Sequence, residues 1–229
     1  MKLAALFSGG KDSTYAIYKA KQDGHEIKCV VTIFPISSES ELLHFPNIRL
    51  TKLQSKSMNI PQICIEVDST NPNSEIKTLE EILYKAKESF HIDGILHGGI
   101  LSDFQRKRFE NVCNSLNVTL VSPLWKIQQK KYMDDLLESN FQFIITSVSA
   151  GGLDESWLGK VIKQEDLQKL EKLSEKYGFN LSFEGGEAET LIINCPLFSH
   201  SLKINKFNKI WDGYRGIFEI VEAKLDNNA

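Results

Sequence analysis

The first half of the chain alternates short apolar runs with segments of helical spacing, and this alternation limits the possible folds more than any other feature. The apolar runs are LAALF at 3–7, IKCVVTIF at 27–34, QICIEV at 62–67, GILH at 94–97 and TLVS at 119–122. Between the third and fourth runs, five apolar residues recur at the spacing of a helix with one buried face: Ile76, Leu79, Leu83, Ala86 and Phe90. The same spacing recurs between the last two runs, at Phe109, Val112, Cys113 and Leu116. Strands that alternate with helices favour a parallel sheet. We therefore predict an α/β domain built on a five-stranded, doubly wound parallel sheet.

The pattern changes after Pro123, which ends the fifth apolar run. A polar segment follows, and then come a predicted helix at about 130–139, a predicted strand at 141–149 and a second helix that contains Leu167 and Tyr177. The last strand-like runs are LIINC, LKINKF and FEIVEAKL. We predict a domain boundary between residues 125 and 126, with a smaller α+β domain over 126–229.

Composition argues against several classes of protein. The chain has 27 Lys and Arg against 30 Asp and Glu, a formal net charge of −3, so no overall positive field favours nucleic acid. The four cysteines form no CxxC pair, which argues against a zinc site and a secreted disulfide framework. No run approaches the ~20 apolar residues of a membrane span, and the N-terminus lacks the length of a signal peptide. We expect a cytoplasmic protein with no membrane partner and no direct nucleic-acid partner; a homo-oligomer remains open.

The segment FSGGKDST at 7–14 places many polar groups at the end of the first predicted strand. In parallel sheets this is the edge where helix N-termini bind anions. Two glycines let the backbone approach an anion, two serines add hydroxyl donors and a lysine adds positive charge: Gly9, Gly10, Ser8, Ser13 and Lys11. The Walker pattern fails, because Ala5 replaces its first glycine and Asp12 follows the lysine. The loop therefore predicts a phosphate site of another type.

The residues from Ser8 to Ser13, SGGKDS, resemble the signature loop of the PP-loop ATP pyrophosphatases. Five further segments resemble the diphthine ammonia ligase family in order and spacing: HFPN at 44–47, GGILSDFQRKRFENVC at 98–113, PLW at 123–125, GGLDESWLGK at 151–160 and EGGEAETLIINCPLF at 184–198. The resemblance runs across nearly the whole chain. One departure is Ala188, which stands where the family usually has tyrosine in GGEYET, so an aromatic contact is missing.

The resemblance implies a reaction and its partners. It implies ATP-dependent amidation of the diphthine carboxylate on elongation factor 2 with ammonium, through an acyl adenylate, with release of AMP and pyrophosphate. It also implies ATP and Mg²⁺ as cofactors, a PP-loop ATP-binding domain over 1–125 and a substrate-binding domain over 126–229. The sequence contains no glutaminase-like cysteine motif to supply ammonia internally, so free ammonium is the expected nitrogen source.

Charge that builds on the departing pyrophosphate needs positive partners, for which Lys11, the loop amides and magnesium are suited. Asp12 is the candidate magnesium ligand, and Arg106 is a candidate for binding phosphate or carboxylate. The alternative for Arg106 is an ion pair with Glu110 on a solvated helix face. The candidates for nucleotide binding are Ser8, Gly9, Gly10, Lys11, Asp12, Ser13, His97, Gly98, Ser102 and Gln105.

The glutamates of the segment EGGEAET raise a separate problem, because three carboxylates beside ATP repel it unless a cation lies between them. Magnesium, ammonium and the quaternary ammonium of diphthine are the available cations. We predict that Glu187 or Glu189 holds ammonium or accepts its proton; the alternative is a glycine-bounded turn with exposed glutamates. Trp157 either offers its ring to the quaternary ammonium or packs between domains. The candidates for substrate binding are His44, Asn47, Arg108, Trp157, Glu184, Gly185, Gly186, Glu187 and Thr190.

Two other functions are compatible with a nucleotide loop. One is a PP-loop enzyme that adenylates an RNA base, which the absence of paired cysteines and of a basic stripe disfavours. The other is a non-catalytic sensor that binds ATP or AMP and changes the affinity of a partner.

Overall fold

The computed structural model describes residues 1–35, 47–67 and 72–226. The chain divides into two compact units, of which the first contains Met1–Ser8 and Asp12–Trp125 and the second contains Gly9–Lys11 and Lys126–Ala229. Three residues of the predicted phosphate loop thus belong to the unit formed by the C-terminal part of the chain.

The first unit contains the predicted parallel sheet. Its strands are β1 (Lys2–Leu6), β2 (Glu26–Pro35), β3 (Gln62–Val67), β4 (Gly94–Leu96) and β5 (Thr119–Val121). The strand order is β3-β2-β1-β4-β5, and every neighbouring pair is parallel. The prediction of a five-stranded parallel sheet is confirmed. The order reverses between β1 and β4, which is the place where ligands bind in open α/β sheets.

In the described parts of the first unit, four helices lie between successive strands: α1 (Lys11–Gln22), α2 (Thr51–Met58), α3 (Pro72–Phe90) and α4 (Asp103–Ser115). A 3₁₀ turn, Ile48–Leu50, precedes α2. The sequence pattern predicted α3 and α4 but not α2. The buried side chains of α2 are mostly polar, since they include Thr51, Gln54, Ser55 and Ser57. An apolar stripe, which is the signal of helical periodicity, is therefore missing from that segment.

The core of the first unit lies where α3 and α4 cover the sheet. Buried residues of the strands, such as Cys29 and Val31, pack with Ile82 and Leu83 of α3 and with the buried pair Val112 and Cys113 of α4. Phe109 and Leu116 are partly buried against the same cluster. Phe109, Val112 and Cys113 of α4 and its C-cap Leu116 recur at helical spacing, so the periodicity correctly predicted the buried face of the helix.

The second unit contains the predicted smaller α+β domain. It contains α5 (Gln129–Glu138), β6 (Gln142–Val148), a 3₁₀ turn (Glu155–Trp157), α6 (Gln164–Tyr177), β7 (Ala188–Asn194), β8 (Leu202–Trp211) and β9 (Gly216–Leu225). The four strands form an antiparallel sheet of order β7-β6-β9-β8. Its core includes Phe143, Ile145, Leu136 and Leu170, all fully buried. Within the described ranges, no helix is long and apolar enough to cross a membrane.

Candidate active site

The predicted phosphate loop begins where β1 ends, and its serines bind one another within the first unit. The Ser8 and Ser13 hydroxyl oxygens are 3.1 Å apart, and the Ser8 backbone N–H donates to Ser13 Oγ at 3.3 Å. Gly9 has a φ of +80°, in the left-handed region that glycine adopts without strain. Helix α1 begins at Lys11, so the loop turns directly into the N-terminus of a helix. This is the geometry predicted for an anion site.

The end of β4 touches the first turn of α1. A Cβ atom on Gly98 would lie 2.8 Å from the Asp12 carbonyl oxygen and 2.9 Å from Ser13 Cα. Only a residue without a side chain lets these two backbones come so close. The structure therefore brings three of the predicted nucleotide-binding residues together, at the point of the sheet where the strand order reverses.

His97, at the same strand end, is buried. Its Nδ1 accepts a hydrogen bond from the Gly99 N–H at 3.3 Å, and its ring lies 4.4 Å from the Phe109 ring, measured between centroids. Burial, with a smaller contribution from the positive charge of Arg106, lowers the pKa of His97 to about 4. The imidazole is therefore neutral at pH 7, and because Nδ1 is the acceptor, Nε2 carries the proton.

Helix α4 presents the two predicted arginines. Ser102 is its N-cap and accepts the Gln105 backbone N–H at 3.3 Å. Arg106 Nε donates to Glu110 Oε1 at 2.7 Å, and its guanidinium stacks on the Trp125 ring at 4.6 Å. The alternative considered for Arg106, an ion pair with Glu110, is present in this structure. Anion binding by Arg106 stays a prediction.

The other arginine of α4 lies beside an exposed aromatic ring. The Arg108 guanidinium is 4.1 Å from the centroid of the Phe104 ring, and Phe104 is 62% exposed. The N–H groups of a guanidinium lie in its own plane, so contact of its face with a ring leaves them geometrically able to meet a carboxylate.

Lys11 is buried in the second unit. Its ammonium donates to the Ser182 carbonyl oxygen and lies 5.5 Å from the Phe183 ring and 5.9 Å from the Tyr132 ring. Its side chain is only 1% exposed. The role predicted from the sequence, a point charge on phosphate, remains a prediction, and it requires the ammonium to reach the anion from this buried position.

Two backbone contacts attach the Gly9–Lys11 stretch to β7. The Lys11 N–H donates to Thr190 Oγ1 at 3.2 Å, and the Ile192 N–H donates to the Gly9 carbonyl oxygen at 3.0 Å. Strand β7 begins directly after Glu187. Residues of the two motifs that the sequence singled out, SGGKDS and EGGEAET, therefore lie in direct contact.

Glu187 organises the turn of the second motif. Its Oε1 accepts the backbone N–H and the side-chain amide of Asn180, both at 2.8 Å, and its Oε2 accepts the Gly185 N–H at 2.7 Å. Gly186 has a φ of +79°, and its carbonyl oxygen accepts the Ser149 hydroxyl at 2.7 Å. A carboxylate offers about four acceptor positions, so three are used inside the turn and about one is left.

The remaining candidates lie in different surroundings. Trp157 is buried, with the Lys160 ammonium 5.1 Å from the centroid of its ring. Glu184 is half-buried before the turn, and Glu189 lies on β7 opposite Ser147. Gly10 is partly exposed within the loop, and Asn47 is buried, its carbonyl oxygen accepting the Leu50 N–H. His44 lies outside the described residues.

Models of two protein domains match nearly the whole chain. The model of the diphthamide synthase N-terminal domain matches residues 1–120, and the model of the diphthamide synthase C-terminal domain matches residues 128–225. The chain belongs to the diphthamide synthase family. This membership confirms the resemblance that the motifs indicated.

Curated relatives in this family carry the name diphthine–ammonia ligase. The protein of Bos taurus is 34% identical over 228 residues, covering 90% of this chain and 83% of that protein. The protein of Homo sapiens is 33% identical with the same coverage. The protein of Saccharomyces cerevisiae is 30% identical over 263 residues, covering 98% of this chain and 37% of that longer protein.

A solved structure of more distant similarity is described as the predicted subunit of a tRNA methyltransferase from Methanocaldococcus jannaschii. It is 16% identical with a TM-score of 0.46, and the match covers 86% of this chain and 98% of that one. A likeness at that score is too weak to carry information about function.

Three polar residues of the second unit were missed by sequence reasoning. All three lie outside the motifs. The Ser182 carbonyl oxygen accepts from Lys11, Asn180 donates to Glu187, and Gln129 bonds to both Ser182 and Asn180. Isolated amides and hydroxyls have no periodicity and no fixed spacing to a motif, so the sequence contains no signal for them.

Proposed function

We propose that this protein is an ATP-dependent ligase that converts the carboxylate of diphthine on elongation factor 2 to an amide with ammonium. The carboxylate oxygen attacks the α-phosphorus of ATP, an acyl adenylate forms and pyrophosphate leaves. Ammonium gives up one proton, and the ammonia so formed attacks the acyl carbon. AMP then departs, and the nitrogen loses a second proton to leave the amide. We propose both that the substrate is elongation factor 2 and that the protein acts in the cytoplasm.

The proposal is carried by the match of both diphthamide synthase domains to this one chain. It is supported by the hydrogen bonds that join Gly9 and Lys11 of the predicted phosphate loop to β7, the strand that follows Glu187. A ligase must bring the activated group and the nitrogen donor together. The motifs suited to these tasks are SGGKDS and EGGEAET. The backbone N–H groups of Lys11 and Ile192 donate the hydrogen bonds that join the first motif to β7, the strand in which the second motif ends. This contact supports a shared reaction, in which neither motif acts alone.

The phosphate loop supplies donors for the leaving pyrophosphate. Backbone amides at the start of α1, the Ser8 and Ser13 hydroxyls and the Lys11 ammonium are the groups proposed to neutralise its charge. Gly98 keeps the opposing backbone close to Asp12 and Ser13. Neutral His97, at the same strand end, is proposed to contact the nucleotide as a hydrogen-bond donor through Nε2.

Magnesium is proposed to arrive with the nucleotide. Among the described residues, no group of three His, Cys, Asp or Glu side chains could hold a metal ion by itself. This fits a magnesium ion that is bound by one carboxylate and by the phosphates of its substrate, as is usual for this ion. Asp12 is the proposed carboxylate ligand. Bound there, magnesium would offset negative charge on the phosphates.

Glu187 and Glu189 are proposed to serve the nitrogen donor. The Glu187 carboxylate already accepts three N–H groups, and about one acceptor position is left for an ammonium N–H. Because the carboxylate is fixed by these contacts, its remaining acceptor position is also fixed. A fixed acceptor can orient ammonium and take its proton.

A product assay tests the proposal. Purified protein is incubated with diphthine-bearing elongation factor 2, ATP, Mg²⁺ and ammonium, and AMP, pyrophosphate and the amide are measured by chromatography and mass spectrometry. We expect the three products in equal amounts, and no amide when ATP or ammonium is left out. Binding of ATP without AMP release under the complete conditions would instead indicate a nucleotide sensor.

A further inference from the structure

A chain of directed hydrogen bonds connects the Lys11 ammonium to the Glu187 carboxylate within the second unit. The Lys11 ammonium donates to the Ser182 carbonyl oxygen, and the Ser182 N–H donates to Gln129 Oε1 at 3.1 Å. Gln129 Nε2 then donates to Asn180 Oδ1 at 3.2 Å. The Asn180 amide and backbone N–H both donate to Glu187 Oε1 at 2.8 Å.

The donor and acceptor roles in this series of hydrogen bonds are determined at both of its ends. A backbone N–H can only donate, so the end of Gln129 that faces Ser182 must be its oxygen, and its nitrogen must face Asn180. A carboxylate can only accept, so Asn180 must present its nitrogen to Glu187 and its oxygen to Gln129. Both amides therefore have one orientation that satisfies every partner. An isosteric change of either amide to an acid puts two acceptors in contact.

The residues that form this series of hydrogen bonds belong to different parts of the second unit. Gln129 is the first residue of α5, whereas Asn180 and Ser182 follow α6 and Glu187 precedes β7. Ser182 is fully buried, and Gln129, Asn180 and Glu187 are half-buried. The Gln129 and Asn180 side chains thus connect the start of α5 to the irregular segment 178–187, which lies between α6 and β7 and contains no strand or helix.

We propose that Gln129 and Asn180 are positioning residues, which hold the Glu187 carboxylate at a fixed place relative to Lys11. The role in catalysis rests on the proposed function, whereas the positioning itself does not. Asn180 acts directly, because it donates to the Glu187 carboxylate. Gln129 contacts neither Lys11 nor Glu187 and acts through Asn180 and Ser182, whose orientations it determines. Small displacements of a catalytic group reduce rates strongly, by about a hundredfold for roughly 1 Å.

The test uses the isosteric variants Gln129→Glu and Asn180→Asp in the full-length protein. Each keeps the volume of the side chain and reverses one donor, so a role in packing alone would survive it. The matched controls are Gln164→Glu, whose amide donates to Asp134 on the surface, and Asn208→Asp, whose amide donates to Glu219 on the β8–β9 hairpin. Like the two test variants, both controls bring two acceptor oxygens into contact, but they do so away from the hydrogen bonds that connect Lys11 to Glu187.

The first readout is hydrogen exchange of the Gly185 amide, measured by NMR without any ligand. Gly185 donates to Glu187 Oε2, at the far end of the chain from Gln129. We expect exchange at Gly185 to become about tenfold faster in both variants, while the Lys11 amide, which is bound to Thr190, keeps its wild-type rate. An unchanged rate at Gly185 in Gln129→Glu, or equal acceleration at Lys11, would overturn the proposed positioning.

The second readout is the rate of amide formation in the product assay. We expect kcat to fall about 10–100-fold in both variants, with the KM for ATP within about threefold of wild type, because the backbone contacts of the phosphate loop to β7 remain. The controls should keep wild-type kcat. Wild-type kcat in both variants would refute the catalytic consequence. If the wild-type protein formed no AMP, the proposed function would fail, and exchange at Gly185 would still decide on the positioning.

Discussion

Lys11 and Glu187 carry the charges that the sequence assigned to catalysis, and both already have partners inside the second unit. The ammonium of Lys11 binds a carbonyl oxygen, and the Glu187 carboxylate binds three N–H groups. A charged group that is prearranged by such contacts needs little reorganisation during a reaction. At the residue scale, the same contact therefore stabilises the fold and orients the proposed chemistry.

Glu187→Gln should separate these two effects. One end of the glutamine amide is an NH₂ group, so at least one N–H of Asn180 or Gly185 loses its acceptor and the turn is destabilised by about 1–3 kcal/mol. We expect amide formation to fall more than tenfold while ATP affinity, measured by calorimetry, changes by less than about threefold. The control is Glu219→Gln, which alters a carboxylate that accepts from Asn208 on the hairpin. ATP affinity that declines in step with turnover would contradict the assignment.

His97 should make the stability of the protein depend on pH. Its pKa is about 4 in the folded state, below the unperturbed value of about 6.5. The unfolded state therefore binds more protons between these values, and stability falls as the pH is lowered from about 6.5 towards 4, by a total on the order of 3 kcal/mol.

The measurement is urea unfolding of the wild type and of His97→Phe at several pH values from 7 to about 4.5. Phenylalanine cannot take up the proton, and other titrating groups contribute equally to both proteins. The unfolding free energy of the wild type minus that of the variant should decrease as the pH falls, because only the wild type loses stability through His97. A difference that stays constant over this range would show that His97 is not held neutral by the fold.

At the scale of elements, the contact between the end of β4 and the start of α1 determines the shape of the predicted phosphate site. The strand order places β4 beside β1, and Gly98 lets its backbone meet the first turn of the helix that follows the loop. A side chain at this position would push the two elements apart. The contact serves packing, and in the proposed function it also shapes the nucleotide site.

Gly98→Ala tests this contact. The added methyl group would meet the Asp12 carbonyl oxygen at 2.8 Å, so the backbone has to shift, at a cost of about 1–3 kcal/mol. We expect a lower midpoint in chemical unfolding and ATP binding at least tenfold weaker by calorimetry. In the control, Gly151→Ala, the added methyl group meets only the Tyr177 ring at 3.7 Å, an ordinary contact. Wild-type ATP affinity in Gly98→Ala would rule out a close nucleotide site at this strand end.

At the scale of the whole molecule, charge separates the proposed ligase from an RNA-modifying enzyme. A net charge of −3 provides no general attraction for phosphate backbones. We expect no transfer-RNA binding by fluorescence anisotropy at about 100 mM salt. The contrary result would be tight binding that weakens steeply between about 50 and 200 mM salt, which is the signature of many phosphate contacts. That result would favour the RNA-modifying alternative.

Much of the fold could be predicted because its signals are local. The buried face of α4 follows from the spacing of Phe109, Val112, Cys113 and Leu116, and each parallel strand from a short apolar run. Helix α2 was not predicted because it buries mostly polar side chains, and their hydrogen-bond partners lie elsewhere in the unit. Gln62 Nε2, for example, donates to Thr51 of α2 at 2.9 Å and to Thr32 of β2 at 2.8 Å.

The sequence by itself determined the five parallel strands, the apolar helices between them, the family and the two motifs, because periodicity and motif spacing are properties of neighbouring residues. Only the tertiary structure decided which groups those motifs meet. Lys11 and Ser182 are 171 residues apart in the chain, and no local pattern relates them. Their contact depends on how the second unit folds around Gly9–Lys11, since a hydrogen bond requires a distance of about 3 Å that only packing can set.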